Sequence, residues 1–201
     1  MLSILVRGGL ALWLIIAISV LAFAAILERL HHLYINENVN LYTVRAEVKK
    51  FIQRGDFDGA KAYCSSRKDS VSIMLSYILE NYNVEKSILE DKIKEMIMDR
   101  ALVLDRNMWL ISSAVDLAPL MGLLGTVTGM IKVFNVISMD GAGDPHILSN
   151  GISEALITTA AGLMVVLPLS FIYSYLSNRV ETILGIVEQT SLEFLHLVKG
   201  E

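Results

Sequence analysis

The chain alternates between long apolar runs and charged segments with helical periodicity. Gly8 to Leu27 (GGLALWLIIAISVLAFAAIL) contains no charged residue and is long enough to cross a hydrocarbon layer of ~30 Å, which takes about 20 helical residues. Ala155 to Ser177 (ALITTAAGLMVVLPLSFIYSYLS) is a second uncharged run of spanning length. A third, from Leu110 to Ser138, is apolar but carries Asp116 and Lys132 near its ends. Between the first two spans in chain order the pattern changes to amphipathic helix. Leu41 to Gln53 is amphipathic, Gly55 to Asp58 interrupts it, and Gly59 to Cys64 begins a short helix. After the polar break SSRKDS comes VSIMLSYILENY. Ile88, Leu89, Ile93, Ile97, Ala101, Leu104 and Met108 then recur at spacings of three and four. No proline interrupts that pattern before Pro119, so it predicts one helix running without a break into the second span. Nothing alternates as a strand would.

These elements predict an all-α polytopic membrane protein with three transmembrane helices and long helices extending into the cytoplasm. The divisions are residues 1–27 for the amino terminus and first span, 28–109 for a helical segment, and 110–137 for the second span. A short connection at 138–144 follows, then the third span at 145–178 and a carboxyl-terminal helix at 179–201. Asp144 and Pro145 read as an N-cap and first-turn proline for the third helix. The first run exceeds the roughly 7–15 apolar residues of a signal peptide, and Glu28 and Arg29 follow it where a small-residue cleavage site would stand, so it reads as a retained helix. Orientation follows from the cations. Most of the Lys and Arg lie between residues 28 and 110, and SMDGAGDPHILSN has none. By the positive-inside rule the long segment and the carboxyl terminus are cytoplasmic, and the amino terminus and short connection face outward.

Composition agrees: 54% of the 201 residues are hydrophobic and mean hydropathy is +0.54, both high for a soluble domain. The net charge of −4 offers no nucleic-acid footprint. Cys64, the one cysteine, rules out an internal disulfide and reads as a small packed hydrophobe. His31 and His32 are adjacent, so on a helix they diverge and cannot share a metal. There is no carboxylate pair, Ser/His/Asp set or phosphate-cradling loop. No enzyme, cofactor or metal site is expected.

The informative residues lie inside the apolar runs. Ala118, Gly122, Gly125, Thr126, Gly129 and Val133 fall on one helical stripe. Ala155, Thr159, Gly162 and Val166 form another, with Thr158 and Ala161 beside it. Small residues let helices approach closely in lipid, where no hydrophobic drive separates helix from solvent. The threonine hydroxyls are open to three uses: bonding back to their own helix, crossing to a neighbour, or facing water. Glu154 lies about 14 Å along the third helix at 1.5 Å per residue. It fits either an outer interfacial carboxylate or one bordering an ion path, because a charge on a lipid-facing surface costs roughly 2.5–3.5 kcal/mol.

APLMGLLGTVTGMI followed by GISEALITTAAGLMVVLP resembles the two core transmembrane segments of the ExbB/TolQ/MotA proton-channel family, the ExbB/TolQ branch in particular. The likeness is specific over Ala118 to Pro168, and GDFDGAKAYC is similar to a loosely patterned stretch of the same family. The resemblance implies five chains in a ring around a single-span ExbD/TolR-type partner bearing a membrane aspartate, in the inner membrane. Proton flow would drive a TonB- or TolA-like protein. It also implies Thr126, Thr159 and Glu154 as proton-path or pore-lining positions, with Thr158 adjoining. Gly122, Gly125, Gly129, Gly162, Pro119 and Pro168 would be helix-packing positions, with the glycines serving the ring. Asp116 and Lys132 depart from the family pattern. The alternatives are a MotA-branch stator or gliding-motility subunit, against which the count of three spans speaks, and a non-conducting membrane scaffold.

Overall fold

The computed structural model describes residues 9–37, 41–140 and 145–199. The Asp144 cap and most of the short connection, like the first eight residues, lie outside the described residues. Among the described residues there are seven α-helices: α1 (Gly9–His31), α2 (Leu41–Gln53), α3 (Phe57–Ser65), α4 (Ser70–Glu80), α5 (Lys86–Leu104), α6 (Met108–Asp140) and α7 (Pro145–Lys199). A π turn, His32–Asn36, extends α1, and no strand occurs among the described residues. Among the described residues, three helical stretches, Gly9–Ile35, Met108–Ser138 and Leu148–Lys199, are long and apolar enough to cross a membrane. The chain divides into two units: Met1–Leu27 with Asn107–Tyr175, and Glu28–Arg106 with Leu176–Glu201.

In the second unit, α7 supplies a stripe of Leu176, Val180, Ile183, Val187 and Phe194, all buried, at the three- and four-residue spacing that keeps them on one face. The short helices bury Val44, Val48, Ala60, Met74, Leu75, Ile78, Leu89 and Ile93. Their ends are closed by local chemistry. Gly55 takes a left-handed φ of 76°; its N–H meets Ile52 O and that of Asp56 meets Phe51 O, the glycine-terminated ending that satisfies the last carbonyls of α2. Asp56 then caps α3 through Gly59 N. Asp69 caps α4 through Ser72 N at 2.9 Å, while the buried Glu37 accepts from Ser70 N at 3.1 Å and Ser70 Oγ at 2.8 Å. Two carboxylates thus serve the positive end of one helix. Arg45 and Lys49 pair with Glu193 of α7.

One sequence expectation is overturned here. The apolar pattern does not run unbroken from α5 into α6. The helix stops at Leu104, and Asn107 adopts a positive φ of 62°, a left-handed conformation that asparagine tolerates better than most side chains. The buried Arg29 stabilises this stop, its guanidinium donating to Leu104 O at 3.2 Å and Val103 O at 3.3 Å. These are carbonyls a helix leaves without partners at its end. Continuity belongs instead to α7, whose 55 residues contribute to both units.

Candidate functional site

In the first unit α6 and α7 form an antiparallel hairpin whose seam is lined by residues without bulk. A methyl group added at Gly162 would lie 2.6 Å from Ala118 O, and one at Gly129 would lie 2.9 Å from Ala155 Cβ. At Gly122 it would lie 3.1 Å from Thr159 Cα, and at Gly125 and Gly151 it would strike Thr158 and Val133. Backbone-to-backbone approach of this kind is what small residues permit in a membrane. Within the chain, Gly122, Gly125, Gly129 and Gly162 thus line the α6–α7 seam. Pro119 is half-buried in α6, and Pro168 is exposed in α7.

This close seam brings two hydroxyls together. Thr126 Oγ1 and Thr159 Oγ1 are 3.0 Å apart. Thr159 Oγ1 also lies 2.9 Å from Gly122 O, and Thr126 Oγ1 lies 2.9 Å from Leu123 O. Each hydroxyl has one hydrogen. If Thr159 donates to Gly122 O, Thr126 donates either to Thr159 or to Leu123 O. If Thr159 donates to Thr126, the Gly122 carbonyl loses that hydrogen and Thr126 turns to Leu123 O. Two protons thus serve four acceptors, two carbonyls and the two hydroxyl oxygens, and they can be reassigned by rotating C–O bonds with no heavy atom moving. Both residues are half-buried. Thr158, by contrast, is buried against Gly125 and donates to Glu154 O at 2.8 Å, back into its own helix.

Glu154 does not join the threonine pair. Five positions separate it from Thr159, and at 3.6 residues per turn this rotates it by about 140° around α7. It meets Lys132 of α6, with Nζ 2.7 Å from Oε1. The two border a cavity of about 260 Å³ lined also by Gly9, Leu10, Leu14, Leu124 and Thr128. Gly9 is pressed so close to the carboxylate that a side chain there would collide with Oε1. The polar groups therefore divide between two flanks of the hairpin: Thr126 with Thr159 on one, and Lys132 with Glu154 on the side facing α1. The ion pair was not anticipated from the sequence. Its signal was there, since Lys132 and Glu154 stand at nearly equal distances from the connection, which in an antiparallel hairpin sets them opposite each other.

Among the described residues, three helices of spanning length and composition, two of them packed through glycines beside a hydroxyl pair, give the layout of a polytopic membrane protein. The chain belongs to the MotA/TolQ/ExbB proton channel family, whose profile matches residues 67–189, a family of channels rather than enzymes. Its similarity to curated relatives lies in the ExbB/TolQ branch. It is 28% identical over 174 residues to a biopolymer transport protein ExbB homolog of Methanothermobacter thermautotrophicus, covering 87% of this chain and 62% of that protein. It is 26% identical to the biopolymer transport protein exbB1 of Vibrio cholerae, covering 80% and 72%. It is 34% identical over 80 residues to the Tol-Pal system protein TolQ of Haemophilus influenzae, covering 40% and 35%. The chain thus spans about three fifths of the archaeal relative's length. Its fold is similar to that of a chain in the C. jejuni MotAB structure, with a TM-score of 0.64 at 14% identity over 98% of this chain and 78% of that one.

Proposed function

We propose that the chain is the ring-forming subunit of an ExbB/TolQ-type proton-driven motor in the inner membrane. A single-span ExbD/TolR-type partner with a membrane aspartate would occupy the ring. The work is TonB-dependent transport at the outer membrane or Tol-Pal-type envelope maintenance through a TonB- or TolA-like protein. Five copies form the ring, with amino termini periplasmic and carboxyl termini cytoplasmic. The observation that carries this reading is the Thr126–Thr159 pair. A proton relay needs polar groups that can exchange donor and acceptor roles, and this pair does so at a half-buried position within apolar helices. Among the described residues no carboxylate bonds to these hydroxyls, which supports the need for one from a partner helix.

Glu154 remains a path-bordering candidate through Lys132 and the adjoining cavity, on a flank separate from the hydroxyls. The test is proton uptake into vesicles containing the chain and its co-purified single-span partner. Uptake that requires both chains is expected, and no uptake from the assembled pair would contradict the reading.

A further inference from the structure

Asp116, Lys132 and Glu154 are charged residues of the α6–α7 hairpin, and two of them, Lys132 and Glu154, pair with each other. Asp116 is the third. It is exposed on α6, and no hydrogen bond or ion pair reaches it among the described residues. Trp109, the second residue of α6 and 65% exposed, is the kind of residue that marks a membrane interface. Asp116 lies about 10 Å deeper along the axis. A carboxylate facing lipid at such depth is costly, so charged residues inside membrane segments face water-filled cavities or protein.

The position of Asp116 around the helix says which. At 100° per residue, Ser112, Asp116, Pro119 and Thr126 fall within about 80° of arc. Lys132 and Thr128 lie on the other side of the glycine seam. Pro119 adds to the first flank, because it has no N–H to give to the carbonyl of Val115. A hydroxyl, a carboxylate, an undonated carbonyl and the threonine pair thus follow one another from the first turns of α6 to Thr126.

We propose that Asp116 is a proton-relay residue that carries the Thr126–Thr159 track to the end of α6 nearer Met108, along a water-filled surface. Its carboxylate takes a proton from one neighbouring water and returns it to the next, so no group is consumed. This rests on the reading of the chain as a proton-conducting subunit.

Two experiments test it in the full complex. In a Cys64→Ala background, Asp116→Cys and Leu117→Cys place thiols at the same depth on different faces. With a small, charged methanethiosulfonate reagent added to opened membranes, the Asp116→Cys thiol is expected to react roughly tenfold faster or more. Equal rates at the two positions overturn the water-filled surface. In vesicles, Asp116→Asn is expected to slow proton uptake by about tenfold, with Asp116→Glu restoring most of it. Asp116→Asn conducting at the unmodified rate overturns the relay role. If the unmodified complex conducts no protons, the motor reading itself fails, and the thiol comparison still decides whether Asp116 faces water.

Discussion

Thr126 and Thr159, 33 positions apart in the chain, place their hydroxyl oxygens 3.0 Å from each other across the α6–α7 seam, with the carbonyl of Gly122 within reach of both. The glycine carbonyl is available because Gly122 has no side chain: a methyl there would lie 3.1 Å from Thr159 Cα. The packing and the polar chemistry are therefore one arrangement, and each of the following outcomes depends on it.

The seam glycines are expected to act on the single chain before they act on any ring. Gly162→Ala sets a methyl against a backbone carbonyl that cannot swing aside, and should cost about 1–3 kcal/mol. Gly185→Ala meets nothing within 4 Å on the same helix and should be neutral or stabilise by up to about 1 kcal/mol. Thermal unfolding in detergent, followed by size-exclusion recovery, compares the two. Equal behaviour would show that the α6–α7 approach is looser than described.

The Lys132–Glu154 pair is expected to show coupling. Lys132→Met and Glu154→Gln should each lower thermal stability, and the double variant should lose less than the sum. Lys132 is more than half exposed, so the coupling should be at the surface-pair scale of about 0.2–1 kcal/mol. Additive losses in the double-mutant cycle would separate the two residues.

Cys64 is buried, and that burial, with the nearby Asp69 carboxylate adding to it, raises its thiol from 9.0 to about 12. The thiolate is the reactive form, so Cys64 should resist maleimide labelling from either side until the protein is unfolded. Its silence in intact cells is no measure of sidedness; Ser65→Cys, exposed in α3, against Gly141→Cys in a Cys64→Ala chain is the informative pair. A cytoplasmic α3 predicts impermeant labelling at 141 alone. The linkage sign also follows: the unfolded thiol loses its proton above pH 9 while the folded one keeps it to about 12, so stability contributed by Cys64 falls across that window. Cys64→Ala should flatten this part of the pH–stability profile, and an unchanged slope would remove Cys64 as its cause.

Much of this was legible in the sequence because the governing signals were local. Apolar length marks the three spanning stretches, and the spacing of Gly122, Gly125 and Gly129 marks a seam. What was illegible depends on partners distant in sequence. The break at Asp105 to Asn107 carries no proline or glycine, and it is held by Arg29, 75 residues from Leu104. The hydrophobic period continues straight through it. Likewise Glu154 stands five positions from Thr159 in the chain, and the partner that helical rotation brings to it, Lys132, is 22 positions away in sequence. The glycine stripe specifies a close neighbour without saying whether that neighbour belongs to the same chain.

The account turns on whether the hydroxyl pair carries protons or only packs. Thr126→Val and Thr159→Val keep the side-chain shape and remove the donor and acceptor, so the ring and its partner should assemble as before. An orphaned buried polar group costs about 1–3 kcal/mol, comparable to the roughly 2.3 kcal/mol that one charge gains across 100 mV. The deciding measurement is proton uptake by vesicles containing each variant with its single-span partner, normalised to assembled complex. The account predicts uptake reduced by about tenfold or more in either variant, with assembly unchanged. Full uptake by the assembled Thr126→Val, Thr159→Val double variant would contradict it.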